Sequence, residues 1–80
     1  MPSLLIIGST GPTDPTRASI PFHIAANGAV PAGAECSVAL AGDAVALVKP
    51  EVSTSVIGVG VPPLMNLLAA CAERGVRIHV

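Results

Sequence analysis

The residues with chemical potential gather in two short stretches, each placed just after an aliphatic run. The first is Gly8-Ser9-Thr10-Gly11-Pro12-Thr13-Asp14-Pro15-Thr16-Arg17, which follows Leu4–Ile7; the second is Gly42-Asp43, which follows Val38–Ala41. In open parallel sheets, ligands bind beyond the carboxyl ends of strands. Gly8 and Gly11 let a backbone approach a ligand closely, Ser9, Thr10 and Thr13 offer hydroxyls, and a helix starting near Asp14 would present free N–H groups to an anion. Arg17, one turn further on, could add a charge-assisted bond. These positions, with Gly42 and Asp43 beside them, make a candidate small-anion site. A second reading is purely structural. Asp14 caps the helix, Arg17 pairs with it or with solvent, and the small residues only make a tight turn. Asp43 likewise reads as a helix cap.

The other reactive side chains point to no chemistry. Cys36, Cys71, His23 and His79 have no chelating spacing, so no metal is expected. Cys36 in a strand and Cys71 on an apolar helix face read as packing residues. The loop has no Gly-Lys-Ser/Thr ending and no GxGxxG, so neither a P-loop nor a dinucleotide fingerprint is present, and no cofactor is expected.

The elements that would position the loops alternate. Ser3–Ile7 reads as a strand buried on both faces. Thr13 or Asp14 is the N-cap of a helix with Pro15 at its first position, running through Ala26 or beyond. Its buried face is Ala18, Phe22, Ala25 and Ala26, and Pro21 should kink it. Glu35–Ala41 is the second strand, and Ala44–Val48 a short helix ended by Pro50. Residues 49–60 show no period and read as a loop. Pro62-Pro63 opens a helix with the stripe Leu64, Leu67, Leu68 and Cys71. Glu73 and Arg74 face water, and Gly75 is the stop. Arg77–Val80 is the third strand. This order predicts an α/β fold with a three-layer α/β/α arrangement, a parallel sheet of three strands and helices on both faces. The first strand, the most uniformly apolar, is expected at the centre.

Composition bounds the rest. The chain has 80 residues, 51% of them hydrophobic and 11% charged, with a net charge of −1 and a mean hydropathy of +0.73. A chain this short makes one domain and buries only about 60% of its unfolded surface. So apolar a composition predicts burial against other subunits, or membership of a larger domain. Phe22 is the one aromatic residue and no basic patch exists, which argues against nucleic-acid binding. No apolar run approaches the roughly 20 residues of a membrane span. No secretory signal is visible, and the two cysteines form no paired motif, so a reducing, cytoplasmic setting is expected.

Three segments carry a resemblance. "STGPTDPTRASIPFHIAANGAV" is similar to the first loop and helix of the DsrE/DsrF-like family, in the branch often labelled peroxiredoxin-like by sequence, whose members read "GPxDPxRAxxPF". Gly11, Pro12, Asp14, Pro15, Arg17, Ala18, Pro21 and Phe22 match that pattern. "VALAGDAVALVKP" resembles the family's second strand and Gly-Asp turn, and "GVPPLMNLLAACAERGVRIHV" its "PPLxxLL" helix and following strand. The resemblance implies a flavodoxin-like sandwich, association into trimers or hexamers, and sulfur carried as a cysteine persulfide between relay partners. In that branch a cysteine stands directly after the strand matching "RIHV", within a "YVC"-like motif. Here Val80 is the last residue, so residues 1–80 are expected to be part of the family domain, without the carrier cysteine and inactive alone. Two further readings stand beside this one: a non-catalytic oligomeric module binding a small anion at Gly8–Arg17, and a structural fragment with no activity.

Overall fold

The computed structural model describes residues 3–80 and has a mixed α/β fold. Its order is β1 (Ser3–Gly8), α1 (Pro15–Ile24) continued by a π-helical turn (Ala25–Ala29), β2 (Glu35–Leu40), a 3₁₀ helix (Gly42–Val48), α2 (Pro50–Ser53), α3 (Leu64–Glu73) and β3 (Arg77–His79). The sheet is parallel throughout. Ser3 to Gly8 pair with Glu35 to Leu40, and Ser37, Val38 and Ala39 with Arg77, Ile78 and His79.

The strand order is β1-β2-β3, so the central strand is β2 and not the N-terminal strand. An apolar run shows that a strand can be covered on both faces, but not that it is. Two right-handed crossovers stepping in the same direction put both connections on one face, and helices reach the second face only where the strand order reverses. Accordingly α1 and α3 pack against each other in one layer. Side chains alternate strictly across the sheet. Cys36, Val38 and Leu40 are buried on the helical side, while Leu5 and Ile7 are 61% and 67% exposed on the other. The expectation of helices on both faces is thus corrected: among the described residues, one face is open.

Local signals set most element ends. Asp14 caps α1, its Oδ1 accepting from the Arg17 amide at 3.1 Å, and Pro15 takes the first turn, where no N–H is needed. At the end of α3, Gly75 adopts φ +75°. There the Val76 amide donates to the Cys71 carbonyl at 2.8 Å and the Gly75 amide to that of Ala72 at 3.4 Å, a glycine C-cap of the usual paired kind. Phe22, Leu47, Leu64, Leu67, Val38, Val56 and Cys71 form the fully buried centre. Residues 49–60 differ from the aperiodic loop expected. Pro50 ends the 3₁₀ helix and also opens α2, because a proline excludes helix from the residue before it but fits a first turn.

Arg74 is exposed, as expected, but its guanidinium also bonds within the chain. Its Nη1 donates to the Ala26 carbonyl at 2.6 Å and to Asn27 Oδ1 at 2.7 Å. The cause lies in the π turn, where amides reach back five residues, as Val30 does to Ala25 and Ala34 to Ala29. The residue five beyond Ala26 is Pro31, which has no N–H. The guanidinium supplies the donor that Pro31 lacks.

Candidate functional site

The two loops singled out by sequence meet at the carboxyl end of the sheet. The Gly8 carbonyl, at the end of β1, accepts from the Ala41 amide at 2.9 Å. Gly8 is buried beneath Pro21 and Leu40, whose side chains would lie 3.3 Å from an added Cβ. Gly11 packs still closer: a Cβ there would fall 2.8 Å from Asp43 Cβ and 2.9 Å from the Asp43 carbonyl oxygen. This contact clamps the first loop to the Gly42-Asp43 turn. Between them lies an open depression of about 490 Å³, lined by Gly11, Pro12, Thr13, Gly42, Asp43 and Ala46.

The remaining candidates stand apart from it. Gly8, Ser9, Thr10, Asp14 and Arg17 do not line the depression. Asp14 and Arg17 face each other instead, with Arg17 Nε 3.7 Å from Asp14 Oδ2 and both side chains largely in water. At the start of α1, Pro15 has no N–H and the Arg17 amide is taken by Asp14. The carboxylate at this helix end is therefore the protein's own, and a bound anion would have to compete with it. The loop following α2 covers the same turn. The Val59 amide donates to Thr16 Oγ1 at 2.9 Å, and a Cβ on Gly58 would lie 2.8 Å from Thr16 Cα. The capping reading of Asp14 thus describes the geometry, but that of Asp43 does not: Ala41 is the N-cap of the 3₁₀ helix, without a side-chain bond, and Asp43 lies in its first turn, where it gives the depression negative charge.

The two thiols are free and buried, in the helix-covered half of the molecule. Cys71 Sγ lies 3.9 Å from the Phe22 carbonyl oxygen. Burial, and then the neighbouring Cys36, push the Cys71 thiol above its ordinary range, with Arg74 pulling the other way. Cys36 is 8% exposed and covered by helices on one face only, not on both as expected. Its Sγ sits 3.8 Å from the Ser37 carbonyl oxygen. His23 Nδ1 accepts from Asn27 Nδ2 at 3.1 Å, and His79 ends β3 in solvent. Among the described residues no three His, Cys, Asp or Glu side chains come together as a metal site, and no helix is long and apolar enough to cross a membrane.

Sequence reasoning missed a second cavity at the opposite, amino end of the strands. It measures about 600 Å³, and its walls include Glu35, Cys36, Arg74 and Arg77. Those residues come from β2, the end of α3 and β3, and no local motif links them.

No family model matches the chain, and neither the curated proteins nor the solved structures contain a match to it.

Proposed function

We propose that this chain is the scaffold of a sulfur-relay protein of the DsrE/DsrF-like kind, in which neither Cys36 nor Cys71 carries the sulfur. The reading rests on the three sequence segments given above. One structural observation supports it: both thiols are buried, away from the depression that Gly11 forms with Gly42-Asp43. A persulfide carrier needs an accessible thiolate, and Cys71, whose burial raises its pKa, is a poor nucleophile. In this view the "GPxDPxRAxxPF" residues build rather than react. Gly11 makes the loop contact, Asp14 and Pro15 start the helix, Pro21 covers Gly8, and Ala18 and Phe22 fill the core. A reducing, cytoplasmic setting belongs to the same proposal.

The test is thiol reactivity in the folded protein. Treated with iodoacetamide or a low-molecular-weight persulfide donor, Cys36 and Cys71 should react far more slowly than in urea, as read by mass spectrometry. Rapid modification of either in the folded state would move the working thiol into this chain and end the proposal.

The second reading, an oligomeric module that binds a small anion, is favoured in its first half by the open sheet face. Leu5 and Ile7 stand exposed there on β1, beside Ala39 of β2. Burial against further copies, as trimers or hexamers, would remove them from water. The second half has Asp14 against it.

A further inference from the structure

We propose that the cavity at the amino end of the strands binds a small organic anion with a short apolar body, held by Arg77 and Arg74. The site is independent of the sulfur-relay reading and lies at the other end of the sheet from the loops discussed above. At about 600 Å³ the cavity falls in the range of about 300–1,000 Å³ typical of small-molecule sites.

Its walls divide by chemistry. Arg74, Arg77 and Glu35 are its charged residues, one positive charge in excess, with Ser37 adding a hydroxyl and Cys36 a thiol. Leu4, Val30 and Ala34 form an apolar wall. Arg74 is fixed in advance, because both Nη1 hydrogens are spent on Ala26 and Asn27. Its Nε and Nη2 hydrogens remain. Among the described residues Arg77 has no carboxylate within ion-pair distance, and the ion pair found there is Arg17 with Asp14. A pre-positioned guanidinium and an uncommitted one lining the same cavity suit the planar or tetrahedral oxygens of a carboxylate or phosphate. The contrast between the two ends is electrostatic. The carboxyl end presents Asp43 and an Asp14 paired with Arg17, while this end presents two arginines against Glu35.

The experiment is an amide chemical-shift titration of the whole 80-residue protein with acetate, butyrate and inorganic phosphate, each against chloride at matched ionic strength. Saturable shifts should centre on residues 34–37 and 74–77. Butyrate should bind about tenfold more tightly than acetate, since two more methylenes leave water against the apolar wall. Comparing phosphate with acetate identifies the preferred head group. Arg77→Gln, on an exposed strand end, should weaken butyrate binding by about tenfold, the loss of one charge-assisted bond. Glu35→Gln should strengthen it by removing the like charge, and this variant decides the matter should Arg77→Gln fail to fold. Shifts that do not saturate, shifts confined to Gly11 and Asp43, or an affinity indifferent to both substitutions would overturn the proposal.

Discussion

Ile6 and Ile7 are the same residue, one position apart, and their surroundings are opposite. Ile6 packs on the core beneath the helices, whereas Ile7 stands 67% exposed on the open side of the sheet. The same contrast runs across the strands, with Val38 and Ile78 in the Ile6 row and Ala39 and His79 in the Ile7 row. The lesson concerns what an apolar run can say. Alternation fixes that the two rows differ, but strand order decides which row receives a helix layer, and that order is a property of the whole chain.

The largest expected effect is on the covered side. Phe22 is fully buried among Leu64, Leu67 and Val38, so Phe22→Ala should cost about 3–5 kcal/mol. A domain of this size has total stability of that order, so urea denaturation followed by circular dichroism should find the variant largely unfolded in water. If Ile7→Ala proved equally damaging, the open face would be a covered one and the comparison would break.

A smaller effect should separate two glycines. Gly11→Ala forces a methyl to within 2.8 Å of Asp43 Cβ, and such overpacking typically costs about 1–3 kcal/mol. Gly28, in the π turn, has nothing within 4 Å of an added Cβ and no positive φ. Gly28→Ala should stabilise by about 0.5–1 kcal/mol through lost chain entropy and better helix propensity. Paired urea midpoints test both, and a neutral Gly11→Ala would mean that the two carboxyl-end loops do not touch.

Those two positions also show where sequence reading succeeds. The helix start at Asp14-Pro15, the stop at Gly75 and the stripe Leu64, Leu67, Cys71 were legible because each is settled within a turn or two of chain. The meeting of the Gly8–Thr13 loop with Gly42-Asp43 was legible from the rule that adjacent parallel strands end together. Three features were not. The edge position of β1 depends on strand order. The bond from Arg74 to Ala26 depends on a π turn reaching a proline. The amino-end cavity collects Glu35, Arg74 and Arg77 only after the sheet has formed.

Cys71 gives a pH test of the covered side. Its folded pKa is raised, first by burial and then by Cys36, so the folded state holds the proton more tightly than the unfolded chain. Its contribution to stability is fully present below the unfolded thiol value of about 8.5. It is lost as pH rises through the folded value, because the unfolded state then releases the proton first. Urea midpoints should fall with rising pH above that range, and Cys71→Ala should flatten the decline at some cost from its cavity. A midpoint that rises with pH there would place the thiol in a wetter site than the closed helix face offers.

The smallest expected effect on the fold is also the sharpest test of the open face. Ile7 and Leu5 lose little of their surface to the rest of the chain, so replacing either by Thr should change monomer stability by no more than about 0.5 kcal/mol. Thr keeps the branched shape that suits a strand, so any change belongs to surface chemistry and not to backbone preference. Association is a different matter. An apolar row on an exposed edge strand, with no charge or proline between Ser3 and Gly8, lacks the usual defences against pairing with another chain. If further copies cover this face, Leu5→Thr with Ile7→Thr should shift sedimentation toward the monomer while the denaturation midpoint, extrapolated to low protein concentration, stays put. A double variant that remains as associated as the wild type would show that copies meet elsewhere. One that loses its fold would show that the row is buried within the single chain, and that the two sides of the sheet are more alike than Ile6 and Ile7 suggest.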